Sequence, residues 1–231
     1  MGAFILNKKV AEKLKSLLNL EKEPVAITWA VKEPKNMPRE KEKSRFCRKV
    51  DKAIEGEVFY STAEEEECFG GARYSGMKDP KEFPKNMRTG AFLVNMGVHD
   101  SIQSVQRSWR ENIAIEPEIF SSILFAPLSK AEFTPDVIVI ICNGKQAMEL
   151  LHAHAYDSIS EAMGAGVGPI CSTMAARPYL TGQITYSFAD VGSRRHMKNL
   201  KDEEVMISIP YQHLERIIHN LEELKKTALK D

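Results

Sequence analysis

The chain has 231 residues, of which 43% are hydrophobic and 28% are charged, and its formal net charge is zero. This composition is typical of a globular protein with a substantial core, folded as one large domain or as two closely packed halves. A net charge of zero provides no bulk field that would attract nucleic acid or an acidic membrane. The longest strongly apolar run, residues 137–142, is far too short to span a bilayer. Neither kind of partner is therefore expected.

The start of the sequence has no basic residues ahead of its first apolar residues and no cleavage signature, which argues against a signal peptide. We therefore expect the protein in the cytoplasm. It has four cysteines, at positions 47, 68, 142 and 171. Cysteines in an intracellular chain of this size bind metals, react or lie buried, and do not form a disulfide framework. No two form a CxxC motif, so any shared site has to be assembled by the fold.

In the first half, residues 7–20 predict an amphipathic helix capped by Asn7. Ser44 is predicted to cap a second helix that carries Cys47 at its third position and ends before Gly56. The remaining elements predicted in this half are strands at 25–31, 58–61 and 91–96, a turn at Gly70 and Gly71, helical turns at 79–87 and a helix at 102–112.

Residues 32–52 are rich in basic side chains, with nine basic residues against four acidic ones. Such a segment is either a solvated, charged loop or an anion-attracting rim beside a site. Both interpretations are kept, because the sequence does not fix what the segment faces.

In the second half, residues 137–142 are apolar on both faces, which predicts a central strand. Pro169 is predicted to begin a helix that has Cys171 at its third position and is disrupted by Pro178. The other predicted elements are helices at 145–163 and 211–226 and strands at 123–126, 183–189 and 205–209. Together these elements predict an α/β protein, or alternatively an α+β one, with a mixed sheet and flanking helices.

The two halves have a similar order of elements around two Tyr-Ser pairs, Tyr60-Ser61 and Tyr186-Ser187. Each pair follows a cysteine-bearing helix and precedes a glycine turn with an arginine. This pattern predicts a single domain, 1–231, with pseudo-repeats at 24–116 and 135–226. The proposed equivalences pair strand 25–31 with 137–142 and strand 91–96 with 205–209. Cys47 and Cys171 then become symmetry mates, and Asp190 stands near the place where Cys68 would recur.

Three of the cysteines have surroundings that suit a metal. The predicted helix starts favour the thiolate forms of Cys47 and Cys171. Acidic residues precede Cys68, so its thiolate needs a compensating cation, and Gly70 and Gly71 leave room for a bulky cofactor. Three thiolates, with Asp190 or solvent as a fourth ligand, suit an iron–sulfur cluster such as a 4Fe–4S cluster, or zinc. The alternative, favoured for Cys142, is that each cysteine is a small buried hydrophobe.

A second hypothesis is a metal-free binding module. Gly192, Ser193, Arg194 and Arg195 follow a predicted strand, and backbone N–H groups with the two guanidinium groups can hold a carboxylate or phosphate. A tight turn with surface arginines is the alternative. Neither a Ser-His-Asp arrangement nor a P-loop is present, so whether the protein is an enzyme stays open.

Over nearly its whole length the chain resembles the uncharacterised ArCR family, a domain of unknown function (169). The residues that carry this resemblance are Cys47, Cys68-Phe69-Gly70-Gly71, Pro135-Asp136-Val137, Gln146-Ala147-Met148, Cys171, Gly192-Ser193-Arg194, Glu204 and Ser208-Ile209-Pro210. Family members often have a cysteine just before the Gly-Ser-Arg turn, where this chain has Asp190-Val191. The resemblance implies a shared site in which Asp190 is the fourth ligand or one iron position stays open. The partner expected for such a site is a redox partner or a small anionic ligand. It implies no established reaction or oligomeric state.

Overall fold

The structure is a computed structural model that describes residues 2–157, 162–164 and 166–229. Within these ranges a seven-stranded sheet has the order β2-β3-β1-β4-β7-β6-β5. Its strands are β1 Val25–Ala30, β2 Phe59–Ser61, β3 Ser122–Pro127, β4 Val137–Asn143, β5 Met163–Gly164, β6 Thr185–Ser187 and β7 Glu204–Pro210. All neighbouring pairs are antiparallel except β5 and β6, which are parallel. The predicted mixed sheet with flanking helices is confirmed.

The helices divide between the two faces of this sheet. They are α1 Gly2–Leu18, α2 Phe46–Ile54, α3 Phe69–Tyr74, α4 Lys85–Thr89, α5 Ala91–Asn95, α6 Ile102–Glu111, α7 Gly144–Ala155, a π-helix Cys171–Ala176, α8 Arg177–Thr181, α9 Val191–His196 and α10 Leu214–Lys226. Short 3-10 turns follow β3 and β7. None of the helices in the described ranges is long and apolar enough to cross a membrane.

The central strand β4 separates two cores, as its sequence predicts. Val137, Val139 and Ile141 face a core that also contains apolar side chains of α2, α3 and the π-helix. Ile138 and Ile140 face the opposite core, formed with α1, α7 and α10. Because side chains alternate along a strand, a run that is apolar at every position is buried on both sides.

The strand order is that of two similarly arranged halves, β2-β3-β1 and β4-β7-β6, which meet at the antiparallel pair β1 and β4. In each half the outer strand ends in Tyr-Ser and is followed by a six-residue helix, α3 or α9. The proposed match between residues 91–96 and β7 is wrong, because these residues form the helix α5. The strand that corresponds to β7 is β3. The duplication itself stays a prediction.

Several predicted helix boundaries are also wrong. Helix α1 begins at Gly2, and Asn7 is buried inside it rather than capping it. The Asn7 amide donates to the carbonyls of Ala131 and Phe133, at 2.9 Å each, and accepts from the Tyr211 hydroxyl at 2.8 Å. The side chain that resembled a local cap is thus satisfied by contacts more than a hundred residues away.

The predicted helix at 145–163 ends at Ala155, and Met163 lies in β5, while residues 158–161 are outside the described ranges. Met148 is exposed, because Ala147 and Leu150 of this helix face the core instead. Pro178 does not disrupt its helix. It lies at the start of α8, directly after the π-helix, where the irregular ladder accommodates a residue without an N–H group.

Candidate functional site

Three of the four cysteines lie on the same side of the sheet, where α2, α3 and the π-helix pack together. Cys47 is in the first turn of α2, Cys68 is the N-cap of α3, and Cys171 is the first residue of the π-helix. A Cβ atom placed on Gly70 would lie 3.8 Å from the Cys68 sulfur and 3.7 Å from the Cys171 sulfur. The two sulfur atoms therefore border the same small space, which the absence of a side chain on Gly70 leaves open.

Cys142 lies on the opposite side of the sheet and belongs to the core formed with α1, α7 and α10. Burial raises the pKa of its thiol to about 12. It therefore has the surroundings of a core residue and no contact with the other three cysteines in the described structure.

The start of α2 differs from its prediction. Arg45, not Ser44, is the N-cap, so Cys47 is the second helical residue. The backbone of Ser44 instead pairs with the segment before Cys68. Its N–H donates to the Glu65 carbonyl at 3.0 Å, and its carbonyl accepts from the Glu67 N–H at 3.2 Å. This pairing brings the segment before Cys47 alongside the segment before Cys68. The predicted turn at Gly70 and Gly71 is also wrong, since both lie in α3.

A buried ion pair fixes Cys68 relative to α2. Lys49 of α2 donates to Glu66 at 2.8 Å, and both side chains are only 2% exposed. The other carboxylate oxygen of Glu66 accepts the N–H of Cys68 at 3.0 Å. Gly71 is needed beside this carboxylate, because a Cβ there would lie 2.4 Å from the Glu66 Oε1 atom. The four residues together set the position of the Cys68 thiol.

Asp190 occupies the position in the second half that Cys68 occupies in the first. Each is the N-cap of a six-residue helix that follows a Tyr-Ser strand. The Asp190 carboxylate accepts from the N–H of Ser193 at 2.9 Å and from its hydroxyl at 2.7 Å. The preceding residue, Ala189, is buried in the left-handed region with φ 61°. Such strained residues concentrate at functional sites, and this one directs the chain into Asp190.

A second buried carboxylate ties α2 to the segment that follows α9. The Asp51 carboxylate accepts hydrogen bonds from the backbone N–H groups of Lys198 and Asn199, at 3.0 Å each. It also forms an ion pair with Arg48 at 2.6 Å. Because α2 carries Cys47 and α9 begins after Asp190, Asp51 holds the two halves of the site together.

We expect Asp51→Asn to lower the free energy of unfolding by about 1 to 3 kcal/mol, because the amide keeps the shape but replaces one accepting oxygen by an NH2 group, which cannot accept the bonds made to that oxygen. Urea denaturation measures the change. Glu55→Gln is the control: Glu55 also pairs with Arg48 but is exposed, so its loss should cost less than about 1 kcal/mol. Equal losses in the two variants would contradict the role given to Asp51.

The electrostatics of the three thiols are coupled. Burial is the main cause that raises the pKa of Cys47 to about 12, and negative charge on Cys68 and Asp190 acts in the same direction. Burial also raises the pKa of Cys68 and, more strongly, that of Cys171, which Cys68 and Asp190 affect in the same direction. The expected lowering at the helix starts is therefore outweighed by burial. A bound cation is the physical change that would turn such thiols into thiolates.

The predicted anion-binding turn is the helix α9 instead. Ser193 is buried and holds Asp190, whereas Gly192 is exposed. Arg194 donates to the carbonyls of Phe188, Lys201 and Glu204, at 2.7, 3.0 and 2.7 Å. These three bonds use much of its donor capacity and fix the connection from α9 to β7.

An aromatic wall next to Cys68 was not anticipated from the sequence. Phe69 packs edge-on against Phe83 and Phe92, with ring centroids 4.8 and 5.7 Å apart, and lies 5.3 Å from Trp109. The Arg73 guanidinium lies 5.1 Å from the Trp109 ring. The segment from α4 to α6 thus covers this side of the site. The sequence feature that could have indicated this wall is the set of aromatic residues between Phe69 and Trp109, a stretch that prolines interrupt.

In the part of the chain that the structure describes, no three His, Cys, Asp or Glu side chains are already arranged as ligands around one point. The sulfur atoms of Cys68 and Cys171 border the space at Gly70.

Comparison with known proteins identifies the family. The profile of the uncharacterised ArCR family, a domain of unknown function, matches residues 13–220. The chain belongs to this family. A relative from Methanocaldococcus jannaschii, named uncharacterized protein MJ0308, is 27% identical over 223 residues, which is 94% of each chain. No solved structure matches the chain. The ArCR resemblance expected from the cysteine and glycine motifs is thereby confirmed.

Proposed function

We propose that this ArCR protein binds a metal cofactor, an iron–sulfur cluster, through Cys47, Cys68 and Cys171, and works with it in redox or small-molecule chemistry in the cytoplasm. The observation that supports this most directly is the space at Gly70, bordered by the sulfur atoms of Cys68 and Cys171. Burial of Cys47 and Cys171 on the same side of the sheet adds to it. Asp190 or an external molecule would complete the ligand set.

Zinc is the alternative metal, and two features favour a cluster. A single zinc ion needs its sulfur ligands about 2.3 Å away on all sides, which requires the thiols to converge. A cluster of several irons spaces its thiolates more widely, which suits the sulfur atoms of Cys68 and Cys171 on either side of the space at Gly70. The apolar and aromatic surroundings also suit a cluster, whose potential depends on its exposure to solvent.

When bound, the cluster would supply a redox centre and, where an iron lacks a cysteine ligand, a position for a small molecule. This chain offers three cysteines and one carboxylate, so that position would lie at Asp190. The partner would be a redox protein or a small anionic ligand.

The first experiment is purification without oxygen, followed by iron, sulfide and zinc analysis and a visible spectrum. We expect brown protein with iron and sulfide in fixed proportion to protein. Zinc without iron would mean that the cysteines form a structural or hydrolytic zinc site instead of holding a cluster. Protein with neither metal, even after reconstitution with iron and sulfide, would contradict the proposal.

Serine variants test the ligands one by one. Cys47→Ser, Cys68→Ser and Cys171→Ser are each expected to lose most of the bound iron, because a serine oxygen is a poor substitute for a thiolate. Cys142→Ser is the matched control and should keep its iron, since Cys142 lies in the other core. Full iron content in all three site variants would rule out the proposed ligand set.

A further inference from the structure

We propose that Cys68 and Cys171 form a reversible disulfide bond when the site holds no metal, and that this bond prevents the site from taking up its cofactor. The bond itself follows from the positions of the two sulfur atoms. Its effect on the cofactor rests on the proposed function, because the same two thiols are then ligands of that cofactor.

The two sulfur atoms lie close enough to react with each other. Both contact one point, the Cβ position of Gly70, at 3.8 Å from Cys68 and 3.7 Å from Cys171. The next nearest atom to that point belongs to the Tyr74 ring, at 3.9 Å. The helices that carry the two cysteines, α3 and the π-helix, pack against each other. Rotation about the two Cα–Cβ bonds moves the sulfur atoms into the open space, where a bond about 2.0 Å long can form.

Hydrogen bonds elsewhere hold the two cysteines at this separation. The Cys68 N–H donates to the buried Glu66 carboxylate at 3.0 Å. Next to Cys171, the Ser172 hydroxyl donates to the carbonyl of Ile113 at 2.7 Å. Because both backbones are fixed by the fold, the two thiols stay neighbours without a metal to hold them.

The same geometry selects this pair among the four cysteines. The Cys47 sulfur is not among the three atoms nearest to the Gly70 Cβ position, and Cys142 lies in the core on the other side of the sheet. Cys68 is half-buried, whereas Cys171 is buried. A small oxidant therefore meets Cys68 first, and Cys171 is the thiol that reaches the oxidised sulfur.

The oxidant for this pair is a peroxide. The Cys68 sulfur attacks hydrogen peroxide and the O–O bond breaks, which leaves a sulfenic acid on Cys68, while the thiol proton departs with the released hydroxide as water. The Cys171 sulfur then attacks the Cys68 sulfur, the S–O bond breaks, and the hydroxyl group leaves with the Cys171 proton as a second water. The two thiols have then lost two electrons and two protons to one peroxide. A dithiol reductant reverses the bond by exchange.

A purely structural role for the cysteines, as small buried side chains, has a different product. An oxidised Cys68 without a partner in reach goes on to a sulfinic acid, which a thiol reductant does not restore. A partner in reach stops the oxidation at the disulfide. Disulfides in reducing compartments are transient and act in catalysis or redox sensing. This one would remove two of the three proposed sulfur ligands until it is reduced.

The test starts from reduced, metal-free protein that is treated with hydrogen peroxide in the presence of a chelator. We expect two of its four thiols to disappear. Digestion without reductant should give a peptide that joins Cys68 to Cys171 in most of the protein, and dithiothreitol should restore all the thiols. Protein in which Cys68 is unchanged, is a sulfinic acid, or is joined to Cys47 would overturn the inference.

Serine variants check the order of the two steps. Cys171→Ser should stop the reaction at the Cys68 sulfenic acid, which dimedone traps, and Cys68→Ser should leave the buried Cys171 thiol reduced. Cys142→Ser is the matched control and should form the bond at an unchanged rate, since Cys142 lies in the other core. Equal protection of the thiols in all three variants would contradict the assigned pair.

Metal uptake separates this inference from the proposed function. Zinc ion is the probe, because it binds thiolates and has no redox chemistry of its own. Oxidised protein should bind zinc at least about tenfold more weakly than reduced protein, since the sulfur atoms of a disulfide are not thiolate ligands. Reduction followed by removal of the reductant should restore the affinity, and equal affinities in the two forms would overturn the effect on loading. Protein that forms the bond but, once reduced, binds neither zinc nor iron would keep the disulfide and remove the cofactor.

Discussion

Replacing Lys49 by methionine should lower the free energy of unfolding by about 3 to 5 kcal/mol, the typical effect of leaving one charge of a buried pair without its partner. Water cannot solvate the Glu66 charge once its partner is gone, since both side chains of the pair are 2% exposed. Methionine matches the length of the lysine stem, so packing is largely kept and the missing charge dominates. Urea denaturation of metal-free protein under anaerobic conditions measures the change.

The pH dependence of this variant identifies Glu66 as the cause. Burial raises the pKa of Glu66 even with Lys49 present, and Lys49 opposes that shift. Without Lys49 the folded-state pKa rises further above the unfolded value, so the folded state holds the proton more tightly. Stability from that proton is present at low pH and is lost as pH rises through the folded pKa. The deficit should therefore be smaller at about pH 5.5 than at about pH 8.

The double variant Lys49→Met with Glu66→Gln is the control. It removes both charges while the glutamine oxygen can still accept the Cys68 N–H, so it should regain most of the lost stability. A Lys49→Met loss below about 1 kcal/mol, or one that does not change with pH, would mean that the pair does not fix the site as described.

Long periodic patterns in this sequence predicted structure well, because one buried face determines them. The predicted last helix has apolar residues at helical spacing, and all of these are buried in α10: Leu214, Ile217, Ile218, Leu221 and Leu224. The doubly apolar run of β4 was expected at the centre of the sheet and is there. Both features depend on which faces of the element are buried, and the spacing of apolar residues along the sequence shows those faces directly.

The errors fall where distant contacts decide a short segment. Residues Ala91–Asn95 form a helix although five apolar or small residues fit a strand equally well. Serine is a preferred N-cap residue, but the backbone of Ser44 is paired with the segment before Cys68. Gly70 and Gly71 resemble a turn, yet both lie in α3, where Gly71 borders the Glu66 carboxylate and Gly70 borders the Cys68 and Cys171 sulfur atoms. The contact with Cys171, a hundred residues later, is one that no local pattern contains.

These two adjacent glycines give the second large expected effect. Gly71→Ala should lower the free energy of unfolding by up to about 3 kcal/mol, as overpacking of a buried position does. The new Cβ would lie 2.4 Å from Glu66 Oε1, and that carboxylate cannot move away because Lys49 and the Cys68 N–H hold it. Urea denaturation of metal-free protein measures the loss.

Gly70→Ala is the matched variant, one residue earlier in the same helix. Its Cβ would have only ordinary contacts, 3.7 and 3.8 Å from the two sulfur atoms, and alanine is favoured over glycine in a helix by up to about 1 kcal/mol. The metal-free variant should therefore be at least as stable as the original protein. Its methyl group, however, fills the space between Cys68 and Cys171, so we expect its iron content after reconstitution to fall severalfold. A stable Gly70→Ala protein with full iron and an unchanged spectrum would mean that no cofactor occupies that space.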